Sequence, residues 1–294
     1  MKFGRVDRPE LVDFSLPPDH PDTKVALASG GDGLEIFVGC AKWNRQDLKN
    51  FYPRGTKDEL TYYSQQFNSI ELNSTFYNTP TSRQVATWKD KTPDGFKFFP
   101  KITNSISHFK RLIDVGPFVE EYCDAIVSFE EKLGAVFLQL HDNFKPADLF
   151  RVEKFIQEFP KAIPLAIEVR NKDWFQQTQA VGQFYELMKD GKVINILVDT
   201  AGRRDMLHMH LTTSEAFVRY VGANHPSDYS RLDEWVDRIK KWKSEGLTKL
   251  YFFVHQNIEE ESPLLSAYFI KKLNDELGTN LHIPQTLNDN PLGL

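Results

Sequence analysis

The sequence predicts a single-domain α/β protein, a TIM-type (β/α)8 barrel in which parallel strands alternate with helices. The first observation is that eight short apolar or β-branched runs recur between residues 36 and 255. Their starts are 23 to 39 residues apart, close to the roughly 31 residues per strand–helix unit of an eight-fold barrel of about 250 residues. The second observation is that segments with helical spacing of apolar residues lie between these runs.

The eight predicted strands are almost continuously apolar, which is typical of strands buried on both faces of a parallel sheet. Eight strands favour closure into a barrel, and an open doubly wound sheet is the alternative. No glycine-rich dinucleotide motif follows the first strand and no GxxxxGK[ST] loop occurs, so we expect no dinucleotide site. The predicted strands are IFVGC (36–40), SIELN (69–73), FKFFPK (96–101), AVFLQL (135–140), IPLAIEV (163–169), INILVD (194–199), FVRYVG (217–222) and LYFFVH (250–255).

Apolar residues at helical spacing predict helices over 116–133, 230–245 and 262–277. Ser230 and Ser262 are the expected N-caps of the last two, because a serine hydroxyl can accept a hydrogen bond from the first free backbone N–H groups. These helices would cover the outside of the sheet.

Residues 1–35 are expected to form an N-terminal surface extension, and residues 36–294 the barrel domain. The segments LPPDHPD and ASGGDG are rich in turn-forming residues. The chain starts with charged residues and lacks the apolar segment of a signal peptide, and no run approaches the roughly 20 apolar residues of a membrane helix. We therefore expect a cytoplasmic protein without a membrane partner; the net charge of −5 disfavours nucleic acid as the main partner.

Polar residues cluster at the predicted carboxyl ends of the strands, where TIM barrels place their active sites. Glu71 and Asn73 are two residues apart, as are Glu168 and Arg170, so each pair projects to one side of its strand. Because a buried charge costs several kcal/mol unless it is paired, so many charged strand ends predict one shared cavity. The candidates for proton transfer are Glu71, Glu168, His108 and His255. The candidates for substrate binding are Trp43, Asn73, Tyr77, Lys101, Gln139, Arg170, Trp174, Asp199 and Arg219.

These strand-end motifs resemble the YecE-like family, domain of unknown function number 72. The resemblance covers about residues 36 to 275 and implies a TIM-type barrel, but no reaction. One departure concerns the family's R-x-H-G element, which reads Arg219-Tyr220-Val221-Gly222 here; that histidine is missing, and His255 is the candidate replacement. The motifs that carry the resemblance are ELNSTFY (71–77), TPDGF (92–96), QL (139–140), EVR (168–170) followed by WF (174–175), and Asp199.

The residue types favour an anion-binding pocket of an enzyme, of hydrolase, lyase or isomerase type, that acts on a small anionic substrate, phosphorylated or sugar-like. Lys101, Arg170 and Arg219 would hold a phosphate or carboxylate group, and aromatic side chains could stack on a sugar ring. We also expect the substitutions K101A, R170A and E168Q to leave folding largely intact. The reaction and the oligomeric state stay open.

Two alternatives remain: a nucleotide or nucleic-acid binding module, and a metal-dependent phosphoester hydrolase. Glu71, Glu168, Asp199 and His255 are suitable metal ligands by type. Cations at the same strand ends would repel a metal, and His208-Met209-His210 lies outside the predicted strands. A metal is therefore not favoured, and no residue is assigned as a ligand.

Overall fold

A computed structural model describes residues 4–286 of the chain. It is an α/β fold with a curled parallel sheet of six strands in the order β1-β8-β7-β6-β5-β4, and β2 pairs with β3 in parallel. Each predicted run overlaps one strand, so the strand predictions are confirmed. The strands are β1 (Glu35–Cys40), β2 (Ser69–Leu72), β3 (Lys97–Pro100), β4 (Val136–Gln139), β5 (Leu165–Glu168), β6 (Ile194–Thr200), β7 (Glu215–Gly222) and β8 (Lys249–Gln256).

Helices connect the strands and cover the outside of the sheet. No helix in residues 4–286 is long and apolar enough to cross a membrane. The helices are α1 (Pro21–Ala28), α2 (Glu59–Gln66), α3 (Ser74–Tyr77), α4 (Ser82–Asp90), α5 (Gly116–Ile126), α6 (Leu149–Glu158), α7 (Gln179–Asp190), α8 (Ser227–Glu245) and α9 (Ser262–Leu277).

Three helix predictions need correction. The helix predicted over 116–133 ends at Ile126 and continues as a 3₁₀ segment, inside which Glu130 has a positive φ of 51°. Ser230 is not an N-cap, because α8 begins at Ser227. Ser262 is the first residue of α9 rather than its cap, and its hydroxyl donates to the Glu259 carboxylate at 2.8 Å.

The chain before β1 packs against the carboxyl end of β6 and the loop that follows it. Thr23 of α1 is fully buried and donates from its hydroxyl to the carbonyl of Met209 at 2.8 Å. The carbonyl of Gly4 accepts a hydrogen bond from the N–H of Gly202 at 3.0 Å. Residues 4–34 therefore lie across one side of the fold and are anchored by buried contacts.

Alternate strand residues point to opposite faces of the sheet. The outward residues pack against the helices, as Leu138 does. The inward residues form an aromatic layer, in which the Phe99 ring lies 4.9 Å from that of Phe253 and the Phe217 ring 5.7 Å from that of Phe137. Each of these buried rings stabilises the fold by about 1.5–3 kcal/mol, and together they fill the space inside the sheet.

The edges of the two sheets meet through side chains and short bridges. Asn68 accepts from the Val38 N–H at 2.9 Å and donates to the Ile36 carbonyl at 2.7 Å, so its amide takes the place of a backbone partner between β1 and β2. Gly39 permits this close approach, since a Cβ there would lie 2.2 Å from the Ser69 carbonyl oxygen. On the other side, isolated parallel bridges join the β3 region to the β4 region.

Substituting Asn68 with alanine tests the junction between β1 and β2. We expect N68A to lower the free energy of unfolding by about 1–3 kcal/mol, because a donor and an acceptor of β1 lose their partner. Urea unfolding measures the change. The matched control is N78A at an exposed asparagine, which should change stability by less than about 0.5 kcal/mol. Equal effects of the two substitutions would contradict the role of Asn68.

Candidate active site

A layer of polar side chains lies above the aromatic layer, at the carboxyl ends of the strands. Each member comes two residues after a residue that faces the inside of the sheet, as Lys101 follows Phe99 and Arg219 follows Phe217. Because side chains two residues apart on a strand point to the same face, these polar side chains also face the inside. We call this set the polar layer. It consists of Glu71, Lys101, Gln139, Glu168, Arg219 and His255.

Arg219 of β7 is the centre of the polar layer. Its Nε and Nη2 donate to Oε2 and Oε1 of Glu71, both at 2.8 Å, which is a bidentate ion pair. Its Nη1 donates to Oε2 of Glu168 at 2.5 Å. One guanidinium therefore joins carboxylates from β2 and β5, and both carboxylates are fully buried.

Further hydrogen bonds occupy the remaining carboxylate positions. Asn73 donates to Oε1 of Glu71 at 2.7 Å, and Arg170 donates to Oε1 of Glu168 at 2.6 Å. Gln139 donates to the same Glu168 oxygen at 2.9 Å. The sequence prediction that these strand ends converge is confirmed for this set of residues. Their roles in binding or catalysis stay a prediction.

The ion pairs fix the charge of both glutamates. Burial alone would raise the pKa of Glu71, but the charge of Arg219 and contact with His255 outweigh it and hold the pKa well below its usual range. Burial likewise opposes ionisation of Glu168, and Arg219 with Arg170 lowers its pKa to about 2. Both groups are therefore ionised near neutral pH, and carboxylates of such low pKa are weak proton carriers.

Lys101 is the polar-layer cation that has no carboxylate within 4.0 Å in the described part of the chain. Its Nζ donates to Oε1 of Gln139 at 2.9 Å and lies 4.0 Å from the centre of the Phe76 ring. Burial and the charge of Arg219 lower its pKa to about 7. Lys101 therefore changes its charge in the physiological range.

His255 lies at the edge of the polar layer, with 13% of its side chain exposed. Its Nε2 is 3.1 Å from Oε2 of Glu71, and its Nδ1 is 3.9 Å from Oε1 of Glu259. The β7–β8 register pairs His255 with Val221, the position at which the family resemblance expected a histidine. An imidazole from β8 thus stands beside the position where the one from β7 is missing.

His108 and Tyr77 lie beside Phe76, at the edge of the polar layer. We call this edge, together with Arg170 and His255, the rim. The His108 ring packs edge-on against Phe76 at 4.9 Å, the ring that also contacts Lys101. Burial and the proximity of His141 lower the pKa of His108 to about 4, so it is neutral near pH 7. Tyr77 is 68% exposed and packs edge-on against Phe76 at 5.2 Å.

Two predicted stacking residues belong to the packed interior or its border. Trp174 is only 1% exposed, and its indole N–H donates to the Phe144 carbonyl at 2.7 Å. Neither face of the Trp174 ring is open in this arrangement, and its role in substrate binding stays a prediction. Trp43 is half-buried and packs edge-on against Trp88 at 5.9 Å.

Asp199 is not part of the polar layer, which corrects the sequence prediction. It is fully buried and accepts from Arg231 at 2.8 Å, from the Trp235 indole at 2.8 Å and from Arg204. On β6 the inward positions include Val198, so the next residue points outward to α8. This second buried ion cluster ties α8 to the sheet, and sequence analysis missed Arg231 because it lies on a helix.

In the described residues, one group of histidine and carboxylate side chains has its ligand atoms within 4.8 Å of one another: His20, Asp22 and His210. It lines a hollow of about 490 Å³ beside α7. The two imidazole rings are stacked in parallel at 3.7 Å, and Lys189 is 2.7 Å from the Asp22 carboxylate. Parallel rings do not aim their lone pairs at one point, and the ammonium competes for the carboxylate. This geometry fits a metal poorly.

Residues 37–288 match the family model described as Protein of unknown function DUF72. The chain belongs to this family. The predicted YecE-like membership is therefore confirmed.

Two curated relatives support this DUF72 assignment. The chain is 24% identical over 275 residues to the protein YecE of Escherichia coli (strain K12), covering 85% of this chain and 98% of that protein. It is 28% identical over 232 residues to YunF of Bacillus subtilis (strain 168), covering 71% and 82%.

Solved structures of DUF72 proteins share the fold. The protein from Thermotoga maritima superposes with a TM-score of 0.66 at 22% identity, covering 81% of this chain and 99% of that one. The protein from Enterococcus faecalis gives 0.66 at 18% identity, covering 88% and 100%. At these identities the likeness establishes the architecture alone.

We expect E168Q to lower the free energy of unfolding by about 3–5 kcal/mol, because it removes the buried carboxylate that pairs with both Arg219 and Arg170. This revises the sequence expectation that E168Q leaves folding intact. Denaturant unfolding near neutral pH measures it, with E120Q at an exposed position of α5 as the control.

The same pair of variants gives a pH test. The folded pKa of Glu168 lies near 2, below its ordinary value of 4.5, so its stabilising contribution is present above about pH 4.5 and is lost as the pH falls towards 2. E168Q should flatten this part of the stability curve, whereas E120Q should retain it. Parallel curves for wild type and E168Q would show that Glu168 contributes nothing by its charge.

Proposed function

We propose that this DUF72 protein is an enzyme that binds a small anionic substrate at the polar layer and its rim. The observation that carries the proposal is the position of Lys101 in the layer. Its Nζ has no carboxylate within 4.0 Å in residues 4–286, whereas Arg219 is paired with Glu71 and Glu168. When Lys101 is protonated, its charge lies in surroundings of low polarity, where an anion would interact strongly with it.

Access would come through the rim rather than through the centre of the layer. Arg219 is 6% exposed, and its guanidinium already pairs with two carboxylates. It would therefore act indirectly, by positioning Glu71 and Glu168 and by adding positive electrostatic potential to the site. Arg170 and His255 are more open, with 16% and 13% of their side chains exposed. Lys101 is nearly as buried as Arg219, with 7% exposed, but it has no carboxylate within 4.0 Å among the described residues. We propose that Arg170 and Lys101 hold the anionic group, because charge-assisted hydrogen bonds are the strongest that a side chain offers.

Proton transfer would fall to Lys101 and His255 rather than to the glutamates. The imidazole of His255 lies at the exposed edge of the layer, with its Nε2 3.1 Å from Glu71, and the pKa of Lys101 is about 7. Such groups suit general acid or base catalysis. A proton carrier next to an anion-binding group suits hydrolase, lyase or isomerase reactions of substrates that carry a phosphate or carboxylate, such as a sugar phosphate.

We also propose that the eight strands close into a complete barrel, with residues 36–294 as its domain and residues 1–35 as an extension. The Asn68 amide between β1 and β2 and the bridge between Lys101 and Phe137 support closure at both junctions. Closure would place the six residues of the polar layer around one opening, as in other TIM-type enzymes.

Sulfate is the probe for the anion site, because its charge stays constant between about pH 6 and 9. We expect sulfate to raise the melting temperature of the wild type near pH 6.5 at fixed ionic strength, since a ligand of the native state stabilises it. The apparent affinity should fall by up to about tenfold per pH unit above about pH 7, as Lys101 loses its proton. Ribose 5-phosphate, with ribose as its neutral control, extends the test to sugar phosphates.

Matched variants separate the site from the general effect of the salt. K101M should remove the pH dependence, and R170A should weaken binding about tenfold or more. K154M, an exposed lysine on α6, removes the same charge and should behave as the wild type. A sulfate response that is identical in K101M, R170A and wild type would refute the anion site.

A further inference from the structure

Lys101 occupies surroundings that differ from those of an ordinary anion-binding lysine. Its Nζ lies between the Phe76 ring at 4.0 Å and the Phe137 ring at 6.0 Å. Its hydrogen-bond acceptor among residues 4–286 is the neutral Gln139 amide oxygen, and no carboxylate of these residues lies within 4.0 Å of Nζ. The ring faces attract an ammonium, but Lys101 is only 7% exposed and Arg219 shares its layer, so burial and like charge favour the neutral amine.

A lysine that is desolvated, or placed beside other cations, is a nucleophile towards carbonyl carbons. A neutral Lys101 amine has two N–H bonds and a lone pair. Gln139 needs one N–H to keep its hydrogen bond at 2.9 Å, so the lone pair remains for attack. The Thr75 hydroxyl holds the backbone of Lys101 by donating to its carbonyl at 2.7 Å, and Gln139 holds the amine at the other end of the side chain.

We propose that Lys101 forms an imine with the carbonyl group of a small anionic aldehyde or ketone. This rests on the proposed function and narrows its substrate class to carbonyl compounds that carry a carboxylate or phosphate. Arg170, the next inward residue after Glu168 and open at the rim, would hold that anionic group.

The step balances without an oxidant or a reductant. The Nζ lone pair attacks the carbonyl carbon, a C–N bond forms as the C=O π bond opens, and one N–H proton passes from nitrogen to oxygen to give a neutral carbinolamine. A proton supplied by solvent then lets the hydroxyl leave as water, and the nitrogen lone pair forms the C=N bond, which leaves one N–H on the protonated imine. The protonated imine withdraws electrons from the neighbouring carbon, which is the activation that lyase and isomerase reactions of carbonyl substrates need.

Reductive trapping tests the proposal with glyoxylate as the probe and cyanoborohydride as the trapping reagent. We expect peptide mapping by mass spectrometry to find carboxymethyl-lysine at Lys101 at least about tenfold above the exposed Lys49 near pH 7, because the free amine is far more abundant at Lys101. Lys132 is the buried control; its Nζ donates to the carbonyls of Lys89 and Thr92. The variant K101R should lose the Lys101 adduct and leave the others unchanged.

The pH profile and the anion requirement provide independent readouts. The ratio of modification at Lys101 to that at Lys49 should fall as the pH rises above 7, because only the exposed amine still gains free base. R170A should lower trapping by glyoxylate more than trapping by the neutral probe acetaldehyde. A merely accessible lysine would show neither behaviour.

The outcomes separate this inference from the proposed function. If Lys101 is modified no more than Lys132 or Lys49 while sulfate still binds as expected, the imine proposal is wrong and the anion site stands. If sulfate does not bind and Lys101 is not enriched, both are wrong. Enrichment at Lys101 that depends on Arg170 supports both.

Discussion

The ion pairs of Arg219 with Glu71 and Glu168 are the interaction on which the rest of the site depends. Three buried charges from β7, β2 and β5 are tolerated only because each neutralises another. The carboxyl ends of strands that are far apart in the sequence are thereby held next to one another, and the carboxylate oxygens point to the inside of the sheet. The fold and the site are therefore two consequences of the same contacts.

The aromatic layer beneath sets the strength of these charges. Phe99, Phe137, Phe217 and Phe253 exclude water from the lower side of the polar layer, and electrostatic interactions grow as the surroundings become less polar. This explains why the glutamates hold their charge so firmly and why Lys101 loses part of its own. The pKa values of the two carboxylates and of the amine are all lowered, which keeps Glu71 and Glu168 charged but removes part of the charge of Lys101.

The structure divides the site into a fixed centre and an accessible rim. Glu71, Glu168 and Arg219 pair with one another and are buried. They would therefore contribute to the site by positioning its other side chains and by setting its electrostatic potential. Arg170 and His255 are open enough to meet a ligand. This division reverses the simplest interpretation of the sequence, in which two glutamates in a barrel opening would be the acid and the base.

The sequence by itself determined the eight strands and the convergence of most charged strand ends. The reason is that apolar runs at regular spacing specify the parallel sheet, and charges at strand ends must pair when the strands meet. Only the tertiary structure decided which side each end faces. Along INILVD the polar Asn195 and Asp199 share one face of β6, and the apolar face includes Val198. Both faces are buried, so the pattern does not say which of them turns inward; the structure places Val198 inside and Asp199 against Arg231. The burial of Trp174 and the pKa values likewise depend on neighbours that long-range packing supplies, and local sequence does not encode them.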